Sequence, residues 1–234
     1  MNTKKEYDNY LSNRGINSEY YENLKLPVFL KKYLPKDFKA KILDIGCGFG
    51  QNMQSYIYEG YNNIYGIDIS DEAIDICKKN GLNVQKINIL DYKEIGFDFI
   101  SINHVLEHIE KNKIIESLER IKKMLNPQGK LYISVPNAQS NTDCYWAFED
   151  FTHTTLFTAG SLIFCLKNAG FSKITFIDPD GIEFSRPLIK QLKWFLLKIY
   201  KLNKWFWNHV TGSSYHKPSP KIFTWEIKVI AEND

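Results

Sequence analysis

Three glycines at alternate positions, in Asp44-Ile45-Gly46-Cys47-Gly48-Phe49-Gly50, follow the apolar run 41–45 and precede a helical pattern over 51–59. Missing side chains at such a junction leave backbone amides bare at a helix start, where a ligand can lie against the chain. The pattern demands a strand, a tight turn and a helix. Strands expected at 63–67, 82–87, 97–102 and 130–135 then alternate with helices expected at 71–79 and 111–125. Ser70, followed by Asp71 and Glu72, opens the first of these helices, since a hydroxyl caps free amides and acids suit the positive dipole end. Asn126-Pro127-Gln128-Gly129 is expected to close the second as a turn. Short turns between strands and helices build a parallel sheet covered on both faces, because parallel neighbours need crossover connections. A helix over 160–168 and strands over 171–177 and 221–231 complete the core.

At 234 residues and 44% hydrophobic content the chain can bury one sizeable core. Residues 1–234 are therefore expected to form a single domain, with 1–36 as a helical cap and 182–218 as an insertion. Thirty basic and 27 acidic side chains leave a net charge of +3, too weak a field for a nucleic-acid partner. Arg14, Arg120 and Arg186 are the only arginines, so forked recognition of phosphates is not a general theme. Cys47, Cys77, Cys144 and Cys165 form no C-x-x-C pair, which argues against a zinc knuckle or a disulfide framework. The polar first fifteen residues lack a secretory apolar run, and no stretch approaches the roughly 20 apolar residues that span a bilayer. The expected location is the cytoplasm.

Asp68 closes the second strand, 18 residues past Gly50, where a carboxylate accepts hydrogen bonds from ribose hydroxyls. A dinucleotide fingerprint spaces its glycines G-x-G-x-x-G to seat a pyrophosphate. Here the spacing is G-x-G-x-G, with Gln51 where the third glycine would fall. Asp44 at the strand's end also opposes a pyrophosphate. A cationic ligand with an amino-acid tail suits that acid far better.

The segments DIGCGFG, IDIS and FDFISINHVLEHI (97–109), in that order, resemble the Rossmann-like S-adenosylmethionine (SAM)-dependent methyltransferases. LNPQGKL (125–131) is similar to the turn into that family's fifth strand, with Gln128 where a second glycine is usual. The resemblance covers about residues 38–138 and implies a mostly parallel seven-stranded sheet with helices on both faces. It implies SAM as cofactor and S-adenosylhomocysteine as product. Asp44, Gly46 and Gly48 would line the methionine end, Asp68 would hold the ribose, and Ile69 would pack on the adenine. Asn88, with Ile89 and Leu90, stands where the family usually has an acid for the adenine amino group, and Asp91 competes for that role. Asn103 would approach the methionine amino group. Arg14, behind Tyr7 and Tyr10, is a candidate clamp for the methionine carboxylate.

Methyl transfer from a sulfonium is an in-line displacement, and an alcohol acceptor also needs a base. His104 and His108, four apart, would share one face if that segment is helical. The loop 147–158 gathers Glu149, Asp150 and His153 among aromatics at the carboxyl edge of the sheet, where ligands of open parallel sheets collect. His153, oriented by Asp150, is the favoured base. Alternatively, Asp150 and Thr152 cap the loop while His153 satisfies carbonyls. Two carboxylates and one histidine are too few ligands to assert a metal, so none is expected.

That loop, with Ser161-Leu162 and Ala169-Gly170-Phe171, resembles methyltransferases of bacterial surface-polysaccharide pathways. The resemblance implies O-methylation of a sugar or glycan-linked group in capsular or envelope polysaccharide synthesis. Two alternatives stay open: a peripheral-membrane methyltransferase for a quinone precursor or lipid-like acceptor, and a SAM-binding regulatory subunit without chemistry. Residues 186–207 carry six basic and no acidic side chains, with lysines on one arc of a helical wheel and Leu, Ile and Phe on the other. Three roles fit: packing the apolar arc on the sheet or a second subunit, resting on anionic lipid at the inner membrane face, or forming a lid over an anionic acceptor.

Overall fold

The computed structural model describes residues 7, 10–15, 25–182, 186–217 and 219–233. The expected cap therefore falls partly outside the described residues, as do 183–185 and 218 of the insertion. In chain order the elements are α1 (Tyr10–Asn13), α2 (Val28–Lys31), β1 (Ile42–Ile45), α3 (Gln51–Tyr58), β2 (Ile64–Asp68), α4 (Asp71–Lys79), β3 (Val84–Lys86) and β4 (Phe97–Asn103). They continue with α5 (Ile114–Met124), β5 (Leu125–Pro136), α6 (Tyr145–Phe148), α7 (Ala159–Asn168), β6 (Lys173–Phe176), α8 (Pro187–Val210) and β7 (Glu226–Glu232). Two 3-10 turns, Leu106–His108 and Lys111–Lys113, lie between β4 and α5.

The seven strands form one sheet in the order β3-β2-β1-β4-β5-β7-β6, parallel except that β7 runs against both neighbours. Successive side chains of a strand point to opposite faces, and the core divides accordingly. Leu43, Ile133 and Val229 join α5 and α7 on one face. Ile42, Tyr132 and Ile230 join Phe29 and Leu30 of α2, Met53 and Tyr56 of α3, and Cys77 of α4 on the other. Both faces are covered, so the strands read as nearly continuous apolar runs.

Ser70 caps α4 by accepting the Ala73 amide at 3.3 Å, and Thr158 with Ser161 forms a reciprocal cap on α7. The turn expected at 126–129 is not a separate connection. Leu125 pairs with Phe97 and Lys130 with Phe99, so the intervening residues loop out at the start of β5. Gln128 takes a positive φ of 64° there, a conformation in which its amide reaches the Asn233 carbonyl at 2.6 Å.

The insertion forms the 24-residue helix α8, none of whose residues is buried. The expected packing of its apolar arc on the sheet does not occur. Tyr200 reaches Asn141 (3.2 Å) and stands edge-on to Phe223, while Lys201 pairs with Asp180 at 2.7 Å. The polar arc faces the body and the apolar arc faces outward. Among the described residues, no helix is long and apolar enough to cross a membrane.

Candidate active site

The glycine turn leaves β1 with Gly46, Gly48 and Gly50 all at positive φ (67°, 51° and 82°), a region that L side chains rarely adopt. A Cβ on Gly46 would lie 2.2 Å from Val105 Cγ2, so glycine there lets the turn pass the exit of β4. At Gly48 nothing approaches a hypothetical Cβ closer than Gln51 at 3.6 Å, leaving the backbone open to a ligand. Asp68 braces the turn from the end of β2, accepting the amides of Gly48 and Ser70 at 2.9 Å each. Gly46 and Gly48 line a cavity of about 1310 Å³, together with Asp68, Ile69, Asn88, Ile89, Leu90 and Asn103. Asp91 is exposed and stands outside that lining.

Asp44 does not reach the cavity wall. It is fully buried beneath the turn, bound to Ser101 at 2.6 Å, with its second oxygen lacking a hydrogen-bond partner. Burial pushes its carboxyl up to about 7. A carboxyl poised in this way ionises most readily beside a cation.

The second half of the cavity is built by loops far apart in sequence. Thr154 donates its amide to the Glu107 carbonyl (2.7 Å) and its hydroxyl to the Ile109 carbonyl (2.6 Å), clamping the loop after α6 onto the exit of β4. His104 and His108 do not share a helical face. His104 sits at φ 52° just past β4, and only 106–108 form a turn of 3-10 helix. His104 stacks on Trp225 with centroids 5.3 Å apart, between Glu107 and Glu226 at 3.3 Å each. Burial opposes charge on this ring, but the two carboxylates outweigh it and push the imidazole up to about 9. Burial likewise opposes charge on Glu226, yet His104, Lys228 and Ser134 hold it down at about 2.

His108 and His153 approach to 4.7 Å between ring centroids. The Thr152 hydroxyl donates to Asp150 at 2.6 Å and so accepts from His108 Nδ1 at 2.8 Å. Burial lowers the His108 pKa. His153 Nδ1 meets the Trp146 carbonyl at 2.5 Å, which places the proton on that nitrogen and leaves Nε2 with its lone pair. Nε2 faces Asp150 at 3.7 Å and Glu107 at 4.0 Å. The ring is thus oriented by Trp146, whereas Asp150 is occupied elsewhere. It accepts from Thr152 (2.6 Å), Tyr10 (2.5 Å) and Arg14 (2.7 Å), and against the effect of burial the Thr152 and Tyr10 bonds, with His108 nearby, hold its carboxyl down at about 2. Arg14 lines the cavity but spends its charge on Asp150. Glu149 is exposed and outside the lining.

Glu107 is the residue that motif reading misses. It is fully buried on the cavity wall, with neither carboxylate oxygen hydrogen-bonded. One ligand atom each from Glu107, His108 and His153 lie within 4.8 Å of one another, a spacing that could hold a metal ion, and neither Glu149 nor Asp150 belongs to this group. The nearest signal in the sequence was its place between two histidines, in HVLEHI.

The model of the methyltransferase domain family matches residues 18–175. This chain belongs to that family. An uncharacterised Rickettsia prowazekii protein is 36% identical over 106 residues, 41% of this chain and 42% of its own. A ubiquinone biosynthesis O-methyltransferase of Actinobacillus pleuropneumoniae is 32% identical over 114 residues, 43% of this chain and 47% of its own. The chain thus spans about half the length of the curated relatives it matches. A SAM-dependent methyltransferase of Archaeoglobus fulgidus shares the fold across 95% of this chain and 97% of its own, with a TM-score of 0.64 at 21% identity.

Proposed function

We propose that the protein is a SAM-dependent O-methyltransferase whose donor lies along the glycine turn and whose acceptor lies against His153. The observation that carries this reading is the continuity of one cavity from Gly48 and Asp68 to the Glu107–His108–His153 cluster. The residues present fit the donor. The open backbone at Gly48 would admit the amino-acid portion, Asp68 would accept hydrogen bonds from the ribose hydroxyls, and Ile69 with Ile89 and Leu90 would offer an apolar slot for adenine. When bound, the donor supplies an electrophilic methyl group on a positively charged sulfur. The chain supplies alignment, a dry setting and a place for the acceptor's proton.

His153 would take that proton on Nε2 as the acceptor oxygen gains the methyl group, the methyl–sulfur bond breaks and neutral S-adenosylhomocysteine leaves. The imidazolium so produced is held between Asp150 and Glu107, which stabilise its charge without accepting the proton themselves. His104 retains its proton at neutral pH and acts as a fixed cation at the wall. The indole of Trp146, whose Nε1 lacks a hydrogen-bond partner, and the Trp225 ring 5.8 Å away form an aromatic wall beside it.

An aromatic wall of two indoles tilted by 40° beside hydrogen-bonding groups suits a ring bearing hydroxyls, and the leading acceptor is a sugar or glycan-linked group of envelope polysaccharide synthesis. A second reading, a quinone precursor or other lipid-like acceptor, is favoured by the outward apolar arc of α8 and by the named O-methyltransferase relatives. A methyl-transfer screen with trideuteromethyl SAM over nucleotide-sugars, phosphorylated sugars and quinone precursors, read by mass spectrometry, separates the two. Labelled product from any class supports methyl transfer. Intact donor binding without product across all of them would point instead to a regulatory subunit.

A further inference from the structure

Helix α8 presents outward a row of side chains that water-facing helices normally bury: Leu188, Leu192, Phe195, Ile199, Leu202 and Phe206 are 50–81% exposed. On a wheel of about 100° per residue they share one arc. Lys198 borders it on one side, and on the other the exposed Ile189, Leu196 and Trp207 extend it before Lys193 is reached. The helix is fastened to the body by Tyr200 and Lys201 on the opposite side. No acidic residue occurs between Arg186 and Trp225.

We propose that α8 is a docking surface for an anionic lipid bilayer, lying in the headgroup layer with its apolar arc inserted. The charge pattern selects this occupant. A second copy of the chain would set lysine borders against each other, with no acid on the helix to pair them. Anionic headgroups neutralise the same lysines while the acyl boundary receives the apolar arc. Three exposed tryptophans, Trp194, Trp205 and Trp207, add rings suited to the interface. The anchors also fix what such docking would do. Lys201 holds Asp180, a cavity-lining residue, and Phe223 beneath Tyr200 precedes Thr224 and Trp225 of the cavity wall. A bilayer on α8 would therefore lie beside the cavity mouth. The surface itself stands whether or not methyl transfer is the activity.

The test is co-sedimentation of the full chain with vesicles of phosphatidylcholine alone or with 30% phosphatidylglycerol. Binding is expected only with the anionic lipid, falling severalfold between about 0.1 and 0.5 M NaCl. The triple variant Leu192→Ser, Phe195→Ser, Ile199→Ser removes no buried contact and is expected to weaken binding at least about tenfold. The pair Lys193→Glu, Lys198→Glu should remove the preference for anionic lipid. S-adenosylhomocysteine titrations of the same variants, expected to match the wild type, show that the fold and donor site survive. Failure to bind anionic vesicles would overturn the proposal. So would a dimer in solution that the triple variant dissociates, which would make the apolar arc a subunit interface.

Discussion

His153 arrives at the cavity with its tautomer already chosen by the Trp146 carbonyl, and that one hydrogen bond makes Nε2 the basic atom. His153→Ala should lower kcat by about 10²- to 10⁴-fold while S-adenosylhomocysteine affinity stays within twofold by calorimetry. Undiminished turnover would remove the proposed base. His104 titrates differently. Its folded pKa of about 9 exceeds the ordinary 6.5, so its stabilising effect is complete below pH 6.5 and disappears as pH rises through 9. The ring is partly open to solvent, which limits the effect to on the order of 1–2 kcal/mol. Urea unfolding should find wild type ahead of His104→Gln at pH 6 and level with it at pH 10. An equal gap at both pH values would mean that Glu107 and Glu226 do not hold a charged ring. None of this was legible from residue types, because 104 meets 226, and 107 meets 153, only after folding. The condition on which His104 and His108 would share a face, a helical segment, is not met, and nothing local in HVLEHI sets Glu107 apart from other acids.

At the scale of elements, the strands and the Ser70-capped helix were legible because their signals are local: apolar runs, a cap and glycine turns. Their bounds shifted by a few residues at most, apart from β5, which starts at Leu125 and not at 130, and β7, whose first expected residues, 221–225, are irregular and place Thr224 and Trp225 on the cavity wall. The glycine turn is also where packing demands most. Gly46→Ala would bring Cβ onto Val105 at a φ of 67° and should destabilise by about 1–3 kcal/mol. Adding Val105→Ala should restore only part of this in urea unfolding, since the backbone strain remains; full recovery would make the clash the whole effect. The orientation of α8 was not legible. Periodicity gives two arcs but not which one meets the body, and that was decided by Asp180 and Asn141 in distant loops. The Asp150 junction likewise joins segments 136 residues apart. Asp150→Asn should weaken the hold on Tyr10 and Arg14, and limited proteolysis should then cut segment 10–15 several-fold faster. An unchanged rate would show that the junction does not secure the cap.

For the whole molecule, the sheet order brings the exits of β1, β2 and β4 to one edge, so the glycine turn, Asp68 and the histidine cluster open into one cavity. That edge is expected to accommodate a sulfonium nucleoside and no dinucleotide. Calorimetric titration of the wild type and Asp68→Ala with S-adenosylhomocysteine and with NAD tests it most directly. Saturable S-adenosylhomocysteine binding, weakened about tenfold or more by the substitution and accompanied by no heat from NAD, is the predicted result. Saturable NAD binding without S-adenosylhomocysteine binding, or an affinity for the latter indifferent to Asp68, would contradict the account.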